Sequence, residues 1–242
     1  MPGDCAEIVE ITGTSSYGER LATTSSWSQH WSAALTSCFL DWSEKRIQPR
    51  FNIAPSQEIV TIVQEPSGKP TLQVAIWGLK PFWLEPGRAP PINARAESVA
   101  ASPMFREASR CLIPATGFYE WRNHQPMHIQ LKGGAVFAFA GLWLPGIRGG
   151  LPTAAIVTTR PNALMATIHN RMPAILRRGD ERAWLDPSAT DVERCLEPIE
   201  ADQMDAYPVS PLANSWEHEG TELIAPSRSP TEIQMALPLD PA

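Results

Sequence analysis

Glu120 is the residue of this chain most suggestive of proton chemistry. It is a lone carboxylate among aromatics in Phe118-Tyr119-Glu120-Trp121, a setting in which desolvation favours the neutral acid and suits a general acid. The competing reading is a carboxylate that alternates outward from a half-buried strand. Upstream, Asn93 and Arg95 place an amide and a guanidinium two residues apart. On an extended segment that spacing puts both on one face. Between these groups, residues 104–109 read as a short helix and 110–114 as a buried apolar strand, with Gly117 breaking the chain before the aromatic run.

The elements that must position these groups are short. Residues 58–64 and 71–76 read as a strand pair across a turn at 66–70. That hairpin delivers W-G-L-K-P-F-W at 77–83, whose indoles are either a stacking platform for unpaired bases or core and lid residues. Residues 128–131, 136–143 and 154–158 read as further strands. A helical run at 162–168 leads into H-N-R-M-P at 169–173. A helix starts near Gly179 with Asp180 as its N-cap, a second short helix spans 191–196, and strands at 207–210 and 222–224 close the fold. On the N-terminal side, 6–11 could be a strand, 27–40 a short helix, and P-R-F-N-I-A-P-S-Q at 49–57 a rigid loop framed by prolines. The twenty-four prolines favour short strands and loops. The pattern predicts an α+β domain on a curved antiparallel sheet.

Composition narrows the function. At 43% apolar and 19% charged residues the chain is globular. A net charge of −6 argues against bulk electrostatic binding to duplex DNA. The cations are nevertheless skewed: only Lys45, Lys69, Lys80 and Lys132 are lysines. Arginine suits bidentate phosphate contacts and base stacking, so a local anion-binding groove is compatible with the overall acidity. Cys5, Cys38, Cys111 and Cys195 form no C-x-x-C pair and read as free thiols, with Cys111 in the core. No signal peptide or membrane-length apolar run is present, which predicts a soluble, cytoplasmic protein. His124, His128 and His218 read as surface or satisfied polar positions.

Four blocks occur in order: P-R-F-N-I-A-P-S-Q at 49–57, W-G-L-K-P-F-W at 77–83, I-N-A-R-A-E-S…C-L-I-P-A-T-G-F-Y-E-W at 92–121, and H-N-R-M-P at 169–173. Together they closely resemble the SOS-response-associated peptidase (SRAP) family, from about Arg50 to Ile224. The resemblance implies one SRAP-like domain over 17–226, on a curved, mainly antiparallel sheet or barrel with short helices. An N-terminal extension (1–16) and a disordered Pro-rich tail (227–242) would flank it. It implies a DNA damage response protein that processes abasic sites in single-stranded DNA. Crosslinking, lyase and self-processing peptidase activities would come with it, and no metal or organic cofactor; a monomer is expected.

By similarity, Asn93 would position and polarise the N-terminal nucleophile, Glu120 would move protons during imine formation, and His169 would assist sugar ring opening. A carboxyl of raised pKa and a neutral imidazole suit acid–base work near pH 7. Arg95 and Arg171 would hold phosphates, Trp77 and Pro55 would stack on or wedge beside bases, and Thr158 would line the site.

One departure stands out. The family opens Met-Cys-Gly-Arg, and its cysteine supplies an α-amine for a Schiff base and a thiol that closes the thiazolidine. This chain opens Met1-Pro2-Gly3-Asp4-Cys5, and the family's opening aligns near Tyr17-Gly18-Glu19-Arg20. An internal tyrosine has neither a free amine nor a thiol. Cys5 has an amide nitrogen, and its thiol alone gives only a reversible hemithioacetal. Pro2, freed by Met removal, would give an iminium and favour strand cleavage. The alternative is a catalytically degenerate, non-covalent binder of single-stranded or abasic DNA. In the tail, residues 234–239 (Q-M-A-L-P-L) resemble peptides that dock on the bacterial sliding clamp.

Overall fold

The computed structural model describes residues 7–9, 49–99 and 101–227. Two sheets dominate the described residues. The larger is assembled from β2 (Glu58–Gln64), β3 (Pro70–Trp77), β4 (Asn93–Arg95), β5 (Ser109–Ala115), β8 (Phe137–Leu144), β9 (Thr153–Thr159) and β10 (Met172–Pro173). The smaller joins β1 (Glu7–Val9), β6 (Gly117–Arg122), β7 (Gln125–Leu131) and β11 (Met204–Pro208) in the order β1-β6-β7-β11. The one α-helix among the described residues is α1 (Asp180–Leu185).

β2 and β3 form the expected hairpin, from Glu58 opposite Ile76 to Gln64 opposite Pro70. The β-branched run of β2 is buried at five consecutive positions, as befits a strand covered on both faces. β5 pairs with β2 only at Cys111 and Leu112 but with β8 along its whole length. Pro114, which has no N–H to donate, falls where the β2 pairing has ended. β8 pairs with β9, and β9 runs parallel to β3 through Ile76 opposite Thr153. The pairings β3-β2-β5-β8-β9-β3 therefore close a ring. Its strands are covered on both faces: Ile62 and Leu112 share one face, Trp77, Phe139 and Ile156 the other, and all five are inaccessible. The curved, mainly antiparallel α+β architecture expected from sequence is present, with two short parallel pairings onto β9.

A tight hairpin connects β6 to β7. Arg122 faces Gln125, and the two residues between them, Asn123 (φ 51°) and His124 (φ 67°), both adopt the left-handed conformation that a type I′ turn demands. A second, smaller core forms around Phe51, Tyr119, Val209, Ala213 and Leu223, where the Tyr119 hydroxyl donates to the Phe51 carbonyl at 3.1 Å.

Several local expectations are corrected. Residues 104–107 form turns and Ser109 already belongs to β5, so no helix forms there. The runs near 162–168 and 191–196 are single 3-10 turns, Met165–Thr167 and Glu193–Leu196, and Thr221–Ile224 is a 3-10 turn where a strand was expected. The N-cap of α1 is Gly179, at φ 95°, and Asp180 is the first helical residue. The expected helix at 27–40 lies outside the described residues, as do Pro2, Cys5, Tyr17 and residues 234–239. No helix among the described residues is long and apolar enough to cross a membrane.

Candidate functional site

β9 builds the site by changing partners along its length. Its first half lies between β3 and β8, with Ala154 opposite both Trp77 and Trp143. In its second half β4 takes the place of β3, with Asn93 opposite Ile156 and Arg95 opposite Thr158. On the other edge β10 replaces β8, with Pro173 opposite Thr158 and Met172 opposite Thr159. Two strands of three and two residues thus converge on Thr158. The segment after β9 is folded back by Asn162, whose side-chain oxygen accepts from the Met165 N–H at 2.9 Å while its amide donates to the Ile199 carbonyl at 2.8 Å. The His169 N–H then donates to the Met165 carbonyl at 2.8 Å, which sets His169 and Arg171 at the entrance to β10.

At this end a cleft of about 280 Å³ opens, and Asn93, Arg95, Glu120, Thr158, His169 and Arg171 all line it. Glu120 reaches it from β6 in the smaller sheet and is 5% exposed, so the outward-facing alternative for this carboxylate is excluded. His169 Nδ1 stands 3.6 Å from Glu120 Oε1. It is also 3.3 Å from the Arg171 N–H nitrogen and 3.2 Å from the Arg171 carbonyl, so the backbone of Arg171 can serve either tautomer of the ring.

Arg171 is held by several partners. Its two terminal nitrogens meet the two oxygens of Glu97 at 2.8 and 2.9 Å, a bidentate pair. One of them also donates to the Thr158 carbonyl at 2.7 Å, which accepts from the Ala96 N–H as well. The guanidinium therefore ties β10 to the β4–β9 junction. Its hydrogen bonds hold the Glu97 carboxyl below the ordinary carboxylate range, with Arg95 adding a smaller effect of the same sign. Among the described residues no cluster of His, Cys, Asp and Glu could hold a metal ion.

Six of the eight residues singled out from sequence are brought together here. Trp77 is not one of them. It is inaccessible to solvent, and its indole N–H donates to the Ile92 carbonyl at 2.9 Å, so the ring is sealed inside the core and offers no face to a base. Pro55 is half-buried on the 49–57 loop and does not line the cleft. The exposed aromatics of the 77–83 block are instead Phe82 (73%) and Trp83 (40%). They sit on the loop that follows β3, which is pinned where the Leu79 N–H donates to the Pro91 carbonyl and returns through Pro91 at the cleft wall. Glu97 was missed, although its spacing of two from Arg95 is the same signal that linked Arg95 to Asn93.

The thiols within the described residues, Cys111 and Cys195, are both fully buried, and burial raises the pKa of each. Neither is a nucleophile for the cleft. His128, expected to be superficial or satisfied, is 2% exposed, and its Nδ1 has no hydrogen-bond partner.

Comparison with known proteins bears on the chain as a whole. Residues 19–216 match the family model described as SOS response associated peptidase (SRAP). The chain is 43% identical over 197 residues to the abasic site processing protein YoqW of Bacillus subtilis, covering 75% of this chain and 88% of that protein. It is 42% identical over 193 residues to YoaM of the same organism, also called an abasic site processing protein, covering 73% and 85%. A crystal structure of a protein from Bacteroides thetaiotaomicron superposes with a TM-score of 0.65 at 27% identity, covering 78% of this chain and 90% of that one. The chain belongs to the SOS response associated peptidase (SRAP) family.

Proposed function

We propose that this protein processes abasic sites, as the names of its relatives YoqW and YoaM say of those proteins, and that it does so in single-stranded DNA. The observation that carries this reading is the cleft itself. A buried carboxylate, an imidazole 3.6 Å away and an amide on β4 converge on one space, with two arginines beside them. Attack of an amine on the ring-opened sugar aldehyde needs a proton delivered to the carbinolamine oxygen as it leaves as water. Glu120 and His169 are a matched acid and base for that step. Asn93, opposite Ile156 on β4, orients the attacking group. Arg95 and Arg171 bracket the backbone phosphates of the lesion, and Phe82 and Trp83 offer faces to the neighbouring unpaired bases, with stacking contributing about 1–3 kcal/mol per base.

The nucleophile is supplied from outside the described residues, because neither buried thiol can reach an aldehyde. The protein works in the cytoplasm as a monomer, and residues 234–239 give it a clamp-docking peptide. Intact-protein mass spectrometry after incubation with single-stranded DNA carrying one abasic site, with and without borohydride, tests the reading. A heat-stable adduct without reductant establishes a nucleophile that forms a durable link, and peptide mapping distinguishes Pro2 from Cys5. An adduct seen only after borohydride establishes transient imine chemistry. No adduct, with binding retained, leaves the non-covalent reading that the tyrosine at position 17 favours. No adduct and no binding refutes the assignment.

A further inference from the structure

We propose that Glu97 is a built-in competitor for the DNA backbone: it occupies the phosphate-binding edge of Arg171 in the free protein and sets how strongly the cleft holds DNA that carries no lesion. The inference rests on the reading of the cleft as a single-stranded DNA site. A guanidinium binds phosphate through the same pair of parallel N–H groups that it presents to a carboxylate. In this structure that edge is taken by both oxygens of Glu97, at 2.8 and 2.9 Å.

The two partners are held unequally. Arg171 is anchored independently of Glu97 by its bond to the Thr158 carbonyl at 2.7 Å, and its side chain is only 20% exposed. Glu97 is 57% exposed and lies in the turn that follows β4, where the Ser98 N–H is bonded to the Arg95 carbonyl. When Glu97 swings out, the arginine stays in place with its outer edge open. Entering phosphate must displace a carboxylate, so a backbone contact alone gains little. DNA that also places an abasic sugar beside Glu120 and His169 gains enough to complete the exchange. The pair thereby trades affinity for discrimination.

The test measures binding of two fluorescent single strands, one undamaged and one carrying an unreactive tetrahydrofuran abasic analogue, across a salt series. The wild type is compared with Glu97→Gln, Arg171→Gln and the double variant. Glu97→Gln is expected to bind the undamaged strand about two- to fivefold more tightly at low salt, the range of an exposed ion pair. Its log–log salt slope should steepen by about 0.7, one phosphate contact on a single strand. The ratio of affinities for the two strands should fall, and adding Arg171→Gln should abolish the gain. Wild-type binding with Glu97→Gln unchanged or weaker overturns the proposal and leaves the DNA-site reading intact. Absence of binding by the wild type and by Glu97→Gln overturns both.

Discussion

Acid should unfold this protein through His128, and removing that imidazole should blunt the effect. The ring is 2% exposed, packed between Tyr119 and Tyr207 at centroid distances of 5.8 and 5.2 Å, with Nδ1 unpartnered. Burial pushes its pKa from 6.5 down to about 4. The folded state therefore binds fewer protons than the unfolded state between those values, so stability is complete above pH 6.5 and is lost as pH falls towards 4. The gap of about 2.5 units corresponds to about 3 kcal/mol, of which about 2 kcal/mol is gone by pH 5. Against a total of about 5–15 kcal/mol for a domain, that is a substantial share. Urea unfolding at a series of pH values, on the wild type and on His128→Leu, isolates the contribution, since the carboxylates are common to both. The wild-type curve should fall below the variant's by about 1.4 kcal/mol per pH unit in the middle of the window. Parallel curves would refute the argument. The consequence for function is direct: Tyr119 and Glu120 are adjacent on β6, and His128 sits opposite Tyr119. An acid limb in an activity profile could then report loss of this sheet rather than titration of the cleft.

Three other outcomes follow from the same geometry. Gly117→Ala should cost about 1–3 kcal/mol in denaturant unfolding, because its Cβ would meet His128 Nε2 at 2.4 Å and the Ile129 carbonyl at 2.9 Å. Trp83→Ala should weaken single-strand binding by about 1–3 kcal/mol, measured by anisotropy, while Trp77→Phe, which strips an indole N–H from the Ile92 carbonyl, should lower stability and leave DNA affinity within error. Glu120→Gln keeps the size of the side chain but removes its acid; it should slow any covalent capture of an abasic strand by about 10²–10⁴-fold in a gel-shift time course, with affinity for the unreactive analogue unchanged.

The parts of the site that sequence makes legible are those whose signal is local. Asn93 and Arg95 share a face because β4 is extended, and both line the cleft. The F-Y-E-W setting of Glu120 leaves open whether it faces inward or outward; it is buried because β6 is covered on both faces, with Phe118 in the main core and Tyr119 in the second. Trp77 misled for the converse reason. An indole beside Gly78 and Pro81 has the composition of a loop, and only the closing of the ring by β9 encloses it. His128 shows the same limit on β7. Alternation puts Met127 and Ile129 on one face, so His128 should be exposed, yet a second core around Tyr119 covers the opposite face.

The convergence on Thr158 was the least legible feature, and the reason is physical. β4 and β10 are three and two residues long, too short for any periodicity to appear. Each is a strand only because β9 runs past the end of its ring partners and leaves backbone groups that must be satisfied. The unpaired half of β9 thus recruits two short segments from 63 residues upstream and 15 residues downstream of Thr158 — the differences from Arg95 and Pro173 in the register. Arg95, His169 and Arg171 travel with them. A ring that closed cleanly along all of β9 would have the same core and no cleft. The site is the place where the sheet changes partners, and the bond from Arg171 to the Thr158 carbonyl holds that exchange in register.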